Sequence, residues 1–372
     1  MPSLFRRVTK STAILINILT GLFFLTGASV RHFNVDHYWF LSLFTFLLPY
    51  FIFLLLFFLF FWIFVRPWWS LISVLFLVLG WHAVINIIPF RLPYEFQMKK
   101  ADSTIRIMSW NVEQLNIQQH KEHPERLEQM LKLINLYDPD IACLQEVVAG
   151  ENKHAINYLP RIDSVLNFSD HFFAYKLKDD FDRYHHFGTI IYSKFPIIHK
   201  QFMVNNPDDY NSTFQFVDVL IGKDTIRIFN VHLQSLKFSK ENRGYLDSLH
   251  IKTTASDESK SIVKKIKAGI LRRAVQTNFV KDEMNHTPYP VILCGDFNDV
   301  PVSYAYETIG KNMQNAFVKK GYGISNTFDG IAPTLRIDNI FADSNFVFTQ
   351  YKKITKFYSD HFPVVADLRL KK

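Results

Sequence analysis

The sequence predicts an α/β domain that follows a set of membrane-spanning helices. The composition changes abruptly near residue 95, where long apolar runs almost free of charge give way to a mixed, periodic sequence. In this second part, strand-like apolar runs are interleaved with a few helical patterns, which is typical of a layered α/β domain. About 270 residues are left for that domain, enough for one well-buried core.

Charge and cysteine content exclude several classes of protein. The formal net charge is +8, but Lys and Arg are dispersed rather than clustered, which favours a solvated basic surface over a nucleic-acid-binding stripe. The two cysteines, Cys143 and Cys294, each lie in an apolar run typical of a buried strand. They therefore indicate neither a disulfide framework nor a zinc site.

Apolar segments at residues 11–30, 38–65 and 68–90 are each long enough to cross a bilayer. A helix rises about 1.5 Å per residue, so about 20 residues span a hydrocarbon core of roughly 30 Å. The run from Phe51 to Val65 shows no polar face, whereas a soluble helix would show one. Arg66-Pro67 predicts a tight turn that joins the second and third spans as a hairpin. Pro49 is expected to kink the second span or to mark its start.

Basic residues beside the spans predict the orientation of the anchor. Arg6, Arg7, Lys10 and Arg66 lie on one side of the membrane, and Arg31, Arg91, Lys99 and Lys100 lie on the other. Because the first helix usually dominates, the N-terminus is predicted in the cytoplasm and everything after about residue 92 outside it. Alternatively, the small-residue end of the first segment, Thr26 to Ser29, marks a signal peptide whose cleavage would leave a two-span anchor.

The remaining elements follow in chain order. A polar linker, 93–103, is predicted between an anchor at 1–92 and a single domain at 104–372. Predicted strands lie at 105–110, 141–144, 188–192, 213–220, 225–231, 291–294, 338–341 and 364–370, and predicted helices at 124–136 and 261–284. The polar, weakly periodic run from Lys237 to Lys260 predicts an inserted segment, mobile or serving as a lid beside the substrate.

Polar side chains recur where the buried strands end. The six stretches contain Asn111, Glu146, His232, Asp296 with Asn298, Asp338, and Asp360 with His361. One such residue is usually a turn former or a helix cap, but six stretches, each following an apolar strand, are hard to explain in that way. Converging strand ends would gather carboxylates, amides and imidazoles, which suit a hard cation and a phosphate. Glu146 and Asn111 are the natural candidates for Mg²⁺ ligands.

Other motifs favour structural roles or are absent. The sequence contains no zinc-ligand spacing, no Gly-x-Ser-x-Gly and no Walker-type loop, so metal-assisted hydrolysis is the chemistry that the cluster favours. His185 and His186 are adjacent and would point to opposite faces of an extended chain, so a loop or substrate-rim role is expected rather than ligation. Arg272 and Arg273 are expected to anchor their helix through salt bridges.

The motifs Trp-Asn, Gln-Glu, Asn-x-His-Leu, Gly-Asp-Phe-Asn, Ile-Asp and Ser-Asp-His follow one another in this order. Over roughly residues 104–370 the chain thereby resembles the endonuclease/exonuclease/phosphatase superfamily, which includes DNase I, abasic-site endonucleases, neutral sphingomyelinases and inositol polyphosphate 5-phosphatases. The resemblance implies a DNase I-like four-layer α/β sandwich. It also implies cleavage of a phosphoester P–O bond that depends on Mg²⁺, with Mn²⁺ as a substitute.

The resemblance also implies roles for individual residues. Glu146 would be the principal Mg²⁺ ligand, with Asn111 nearby. Asp296 and His361 would share the acid–base work, with Asp360 orienting His361. Asn298 would hold the attacking water and a phosphate oxygen, His232 would donate to the phosphate, and Asp338 would assist the leaving group or a second metal.

The resemblance specifies the type of bond that is cleaved more closely than it specifies the substrate, because substrate choice lies in variable loops. The net charge gives nucleic acid some support, but the sequence has no basic stripe with interleaved aromatic residues. Attachment beside a bilayer makes a lipid or inositol phosphate headgroup equally reasonable. A third hypothesis is a catalytically silent binding or scaffolding domain of the same fold. The complete set of polar residues disfavours it.

Overall fold

The computed structural model describes residues 4–150, 155–175, 184–203, 212–235, 256–330 and 332–371. The helices are α1 (Leu4–Ala28), α2 (Val35–Tyr38), α3 (Leu43–Val65), α4 (Ser70–Leu79), α5 (Trp81–Ile87), α6 (Arg126–Tyr137), α7 (Leu159–Val165), α8 (Ser256–Asn285), α9 (Tyr304–Gly310) and α10 (Ala316–Lys320). The strands are β1 (Ile105–Asn111), β2 (Ile141–Gly150), β3 (Asp170–Tyr175), β4 (His185–Ser193), β5 (Ile197–Met203), β6 (Thr213–Ile221), β7 (Asp224–His232), β8 (Val291–Asp296), β9 (Gln314–Asn315), β10 (Asp338–Ala342), β11 (Phe346–Lys353) and β12 (Val364–Leu370). Of the inserted segment predicted at 237–260, residues 237–255 lie outside the described residues.

Across the described ranges the strands form two six-stranded mixed sheets. The first has the order β11-β12-β1-β2-β4-β3 and the second the order β5-β6-β7-β8-β10-β9. The pairs β1–β2 and β7–β8 are parallel, and the other neighbouring strands are antiparallel. Each sheet therefore has one parallel pair near its middle, and the ends of these pairs carry the candidate site.

Alternating side chains divide the domain into layers. Ile107 and Cys143 of the first sheet share one buried cluster with Ile228 and Cys294 of the second, so these residues form the core between the sheets. The opposite face of the first sheet packs against α6 and α7, and that of the second packs against α8 and α9. The layers are thus stacked in the order helix, sheet, sheet, helix. The predicted four-layer α/β sandwich is confirmed.

The strands that the sequence did not predict lie at the edges of the sheets. β3 and β11 are the outer strands of the first sheet, and β5 and β9 are those of the second. An edge strand is covered on fewer sides, so it has no continuous apolar run. In β5, four consecutive residues are exposed. The central strands, buried on both faces, were the ones that apolar runs revealed.

The N-terminal helices offer two candidate membrane spans, Arg6–Ala28 and Val35–Val65. Pro67–Leu79 and Trp81–Ile87 add a third only if the pair, bent by 74°, acts as one span. The helical turn at Pro67–Trp69 follows Arg66, as expected, and Pro49 lies inside α3. Gly80 lies at the bend, where a Cβ would come within 2.2 Å of the Phe24 ring, so close packing requires glycine.

The N-terminal helices pack directly against the α/β domain. Glu307 of α9, with a side chain only 8% exposed, accepts from Arg31 Nη1 at 3.0 Å and pairs with His82 Nε2 at 2.7 Å. The Asn86 carbonyl accepts from Arg336 Nη2 at 2.6 Å, and the Asn86 side chain accepts from Tyr306 Oη at 3.0 Å. Helix α5 is therefore held to the domain by several buried or partly buried polar contacts.

The segment predicted as a polar linker is also packed. Phe96 is buried in the outer core of the first sheet, and Gln97 N donates to Gln350 Oε1 at 2.9 Å. The guanidinium of Arg106, which is fully buried, donates to the carbonyls of Gln97 and Met98. The chain between the N-terminal helices and the α/β domain is thus held against the first sheet by these contacts.

Candidate active site

The candidate site lies where the inward-facing positions of the central strands reach one edge of the sandwich. Side chains alternate between the faces of a strand. In β8, Ile292 and Cys294 fill the core between the sheets, so Asp296 faces the same way at the end of the strand. The same alternation points three more side chains to the side that faces the core between the sheets: Asn111 at the end of β1, His232 at the end of β7 and Asp338 at the start of β10.

Asp296 is at the centre of this arrangement. In the register of the second sheet it lies opposite His232 on one side and opposite Asp338 on the other. All three side chains are almost fully buried. Asp296 Oδ2 lies 3.7 Å from His232 Nε2 and 3.7 Å from His361 Nε2, so two imidazoles approach one carboxylate oxygen.

Glu146 reaches the site through an irregularity in β2. The pairing of β2 with β4 shifts register between Leu144 and Val147, and Glu146 has φ 55°. This bulge re-aims the Glu146 side chain relative to the regular alternation. Asn111 Nδ2 donates to Glu146 Oε1 at 3.2 Å and to Asp296 Oδ2 at 3.1 Å. The Asn111 amide thus links Glu146 of the first sheet to Asp296 of the second by hydrogen bonds.

The partner of His361 differs from the one expected. His361 Nδ1 lies 2.9 Å from Asp338 Oδ2, and because a carboxylate only accepts, Nδ1 carries the proton. Asp360 Oδ1 lies 3.9 Å from His361 Nε2, beyond hydrogen-bonding distance. The expected orientation of His361 by Asp360 is therefore corrected to Asp338. The side chains of the adjacent residues Asp360 and His361 diverge from each other. Strand β10 instead places Asp338 beside the His361 ring.

Asn298 and Asp360 complete the set of predicted residues. Asn298, with φ 49°, donates its backbone N–H to Asp296 Oδ1 at 2.7 Å and its side chain to the Leu233 carbonyl at 3.0 Å. Asp360 is about one-third exposed, and its backbone N–H donates to Glu113 Oε2 at 3.0 Å. The structure thus brings all eight predicted residues into one cluster, with Asp360 at its rim.

Burial and neighbouring charges set the protonation of the cluster. Burial raises the pKa of Glu146 to about 7 and also raises that of Asp296. Burial lowers the pKa of His232 to about 4, so this imidazole is neutral. Burial opposes the charge on His361 as well, but Asp338 and Asp296 outweigh it and hold the pKa of His361 well above its ordinary value. The site thus pairs a neutral imidazole with a charged one.

Two observations test whether a cation fits. Within the described part of the chain, the buried Asp338 Oδ1 and both ring nitrogens of His232 have no hydrogen-bond partner. Asp296, Asp338 and His361 present ligand atoms within 4.8 Å of one another, a group that could hold a metal ion. Uncompensated carboxylate oxygens in a buried site are costly, and a divalent cation would relieve that cost. The residues present therefore fit a cation.

The site also contains two hydroxyl residues, Thr327 and Ser359, to which the sequence analysis assigned no role. Thr327 Oγ1 accepts from the backbone N–H groups of Ile337 and Asp338, both at 2.9 Å. Ser359 Oγ donates to the Asn111 carbonyl at 2.8 Å and accepts from His361 N at 3.0 Å. Both hydroxyls form hydrogen bonds with backbone groups outside their own element, and such contacts leave no periodic signal in the sequence.

Replacing Thr327 by Val is expected to destabilise the protein by about 1 to 3 kcal/mol, because two buried N–H groups would lose their acceptor. Thr327→Ser keeps the hydroxyl and is the matched control. The measurement is the free energy of unfolding of the full-length protein in detergent. A Val variant as stable as the Ser variant would contradict the assigned hydrogen bonds.

Two other expectations concern residues outside the cluster. His185 and His186 begin β4 instead of lying in a loop, and His186 is buried and stacked on Tyr175 with ring centroids 4.0 Å apart. Arg273 is buried and pairs with Asp299 at 3.2 Å, which matches its expected anchoring role.

Comparison with known proteins identifies the family. A model of the endonuclease/exonuclease/phosphatase family matches residues 108–361, about two-thirds of the chain. The chain belongs to this family. A separate model, described as a domain of unknown function, matches residues 10–87. No curated protein matches the sequence.

Three solved structures share this fold. A Bacteroides vulgatus member has a TM-score of 0.53 at 18% identity, covering 73% of this chain and 100% of its own. A Bacteroides thetaiotaomicron mannosyl-6-phosphatase has a TM-score of 0.51 at 18% identity, with 71% and 99% covered. Humanized D. rerio TDP2 has a TM-score of 0.51 at 16% identity, with 72% and 100% covered. At these identities the likeness shows the fold alone.

Proposed function

We propose that the chain is a membrane-anchored, Mg²⁺-dependent phosphoesterase in which water attacks a phosphodiester or phosphomonoester. The observation that carries the proposal is the convergence of carboxylates and imidazoles from both sheets around Asp296, in a chain whose family acts on phosphoester bonds. In this proposal residues 1–92 form the anchor, 93–103 the connection and 104–372 the catalytic domain. The anchor would place its N-terminus in the cytoplasm and the catalytic domain outside it.

Glu146 would be the principal ligand of the cation, with Asn111 beside it. Asp296, Asp338 and His361 form an alternative ligand group. The hydrogen bond between His361 Nδ1 and Asp338 Oδ2, however, is the arrangement expected of an acid–base pair. We therefore assign the Asp338–His361 pair to acid–base work. When bound, the cation supplies positive charge against the negative charge that develops on the phosphate.

The remaining residues would act on the phosphate and the water. His361 and Asp296 would share the proton transfers, and their Nε2 and Oδ2 atoms lie 3.7 Å apart. Neutral His232, held rigidly by burial, would donate to a phosphate oxygen as charge builds. Asn298 would orient the water, and Asp338 would assist the leaving group or a second metal.

The test is hydrolysis of bis(p-nitrophenyl) phosphate and p-nitrophenyl phosphate by the full-length protein in detergent. We expect turnover with Mg²⁺ or Mn²⁺, loss of turnover with a chelator, and recovery when Mg²⁺ is restored. Glu146→Gln should raise the Mg²⁺ concentration needed for half-maximal binding by about tenfold or more, measured calorimetrically, because a charged ligand is lost.

The competing function is a catalytically silent binding domain of the same fold. A folded protein that binds Mg²⁺ and phosphate but cleaves neither probe would favour it. Chelator-insensitive turnover would instead contradict the metal assignment.

A further inference from the structure

Two loops that frame the candidate site rest on the membrane anchor. The first, residues 297–303, follows Asp296 and contains Asn298. Its Val302 is fully buried in the same apolar cluster as Leu48 and Ile52 of α3 and Ile87 of α5. Val302 has φ 71°, a strained conformation for a β-branched residue, and burial among the anchor helices compensates for that strain.

The second loop, described over residues 321–330 and 332–337, connects the anchor to His361 and Asp338. Gly323 N donates to the Pro89 carbonyl at 3.1 Å, and Arg336 donates to the carbonyl of Asn86. Between these contacts, the Phe328 ring lies 5.0 Å from the His361 ring. One short loop therefore contacts the anchor at both ends and the site in the middle.

These contacts limit the distance between site and bilayer. An extended chain covers at most about 3.6 Å per residue, so Asn298 lies within about 14 Å of Val302, and Phe328 within about 18 Å of Gly323. The headgroup layers add roughly 5 to 8 Å on each side of the hydrocarbon core. A lipid phosphate beside the anchor is thus within reach of the site.

The seam between anchor and domain has the side chains of a membrane interface. Phe90, Leu92 and Tyr322 are 67%, 88% and 59% exposed, next to the contact between Gly323 and Pro89. Arg91 is exposed among them. Exposed aromatic and apolar side chains beside a basic one suit the headgroup layer, where rings are partly buried and cations meet lipid phosphates.

We propose that the substrate is the phosphoester of a membrane lipid, taken from the bilayer that holds the anchor. The inference rests on the proposed phosphoesterase activity. The oxygen of water forms a bond to phosphorus and the P–O bond to one alcohol breaks. The alcohol leaves with one proton of the water, and the phosphate keeps the new oxygen.

The experiment uses the full-length protein reconstituted in phosphatidylethanolamine and phosphatidylglycerol vesicles, with phosphatidic acid or sphingomyelin added in separate preparations. Parallel arms contain acyl-free glycerophosphodiesters, glycerol phosphate, bis(p-nitrophenyl) phosphate and plasmid DNA. We expect Mg²⁺-dependent release of phosphate or headgroup from at least one vesicle lipid. Its rate should be at least tenfold above that of the acyl-free compound with the same headgroup.

A variant of the seam between anchor and domain distinguishes a loss of lipid access from general damage to the protein. Phe90→Ser, Leu92→Ser and Tyr322→Ser together should lower lipid hydrolysis about tenfold and leave bis(p-nitrophenyl) phosphate hydrolysis within about twofold. Ile198→Ser, on the edge strand β5 and also exposed, is the matched control and should change neither rate. Equal loss on both substrates in the seam variant would count against lipid access through the seam.

The outcomes distinguish this inference from the proposed function. Cleavage of soluble probes or DNA without lipid cleavage would overturn the lipid substrate and leave the phosphoesterase assignment intact. No cleavage of any substrate by the folded protein would overturn both.

Discussion

Replacing Asp338 by Asn is expected to lower kcat by a factor of about 10² to 10⁴, with a much smaller change in KM. The carboxylate accepts the Nδ1 proton of His361 and stabilises the charged ring. An amide of the same shape can present its NH₂ group instead, which favours the wrong tautomer and removes the stabilising charge. Steady-state kinetics of the full-length protein measure the effect.

The matched control is Asp360→Asn, which removes a neighbouring charge at the rim without breaking a hydrogen bond to the ring. We expect a loss of about tenfold or less. If the Asp360 variant lost more than the Asp338 variant, the pairing seen in the structure would not be the one used in turnover. A large rise in the Mg²⁺ requirement of Asp338→Asn would instead identify Asp338 as a metal ligand.

Replacing Arg106 by Met is expected to destabilise the protein by about 3 to 5 kcal/mol, because removing one partner of a buried ion pair leaves the other uncompensated. Arg106 is fully buried and donates to both carboxylate oxygens of Asp367, at 2.7 and 2.9 Å. It also donates to the carbonyls of Met98 and Tyr137 at 2.8 Å. Denaturant unfolding of the full-length protein measures the loss.

A double variant tests the cause of that loss. With Asp367→Asn added, no buried carboxylate is left without a cation, so part of the stability should return. Gln350 Nε2, which donates to Asp367 Oδ2 at 2.6 Å, can still donate to the amide oxygen. Strictly additive effects would show that lost packing, rather than the unpaired charge, explains the single variant.

The sequence predicted the central strands and the site positions for one physical reason. β1 and β8 are buried along their whole length and β7 along its second half, so apolar residues predominate in them and the polar residue at each end is conspicuous. Edge strands such as β5, in which four consecutive residues are exposed, give no such signal. The prediction was therefore best where the chain carries its candidate chemistry.

What the sequence could not reveal depends on tertiary pairing. Asp360 was the natural partner for His361 by proximity in the chain, but the register of β10 provides Asp338 instead. Thr327 supports the backbone of Asp338 from a segment without regular structure. Hydropathy located the third apolar segment, but the 74° bend at Gly80 follows from its packing against Phe24.

The burial of both cysteines in the core between the sheets has a practical consequence. Cys143 and Cys294 are the only thiols in the sequence, and neither has any exposed surface in the folded protein. A water-soluble maleimide reaches only accessible thiols. A single cysteine placed at an exposed position such as Lys223 would therefore act as a reporter of which compartment holds the α/β domain, in intact cells and without first removing the native cysteines.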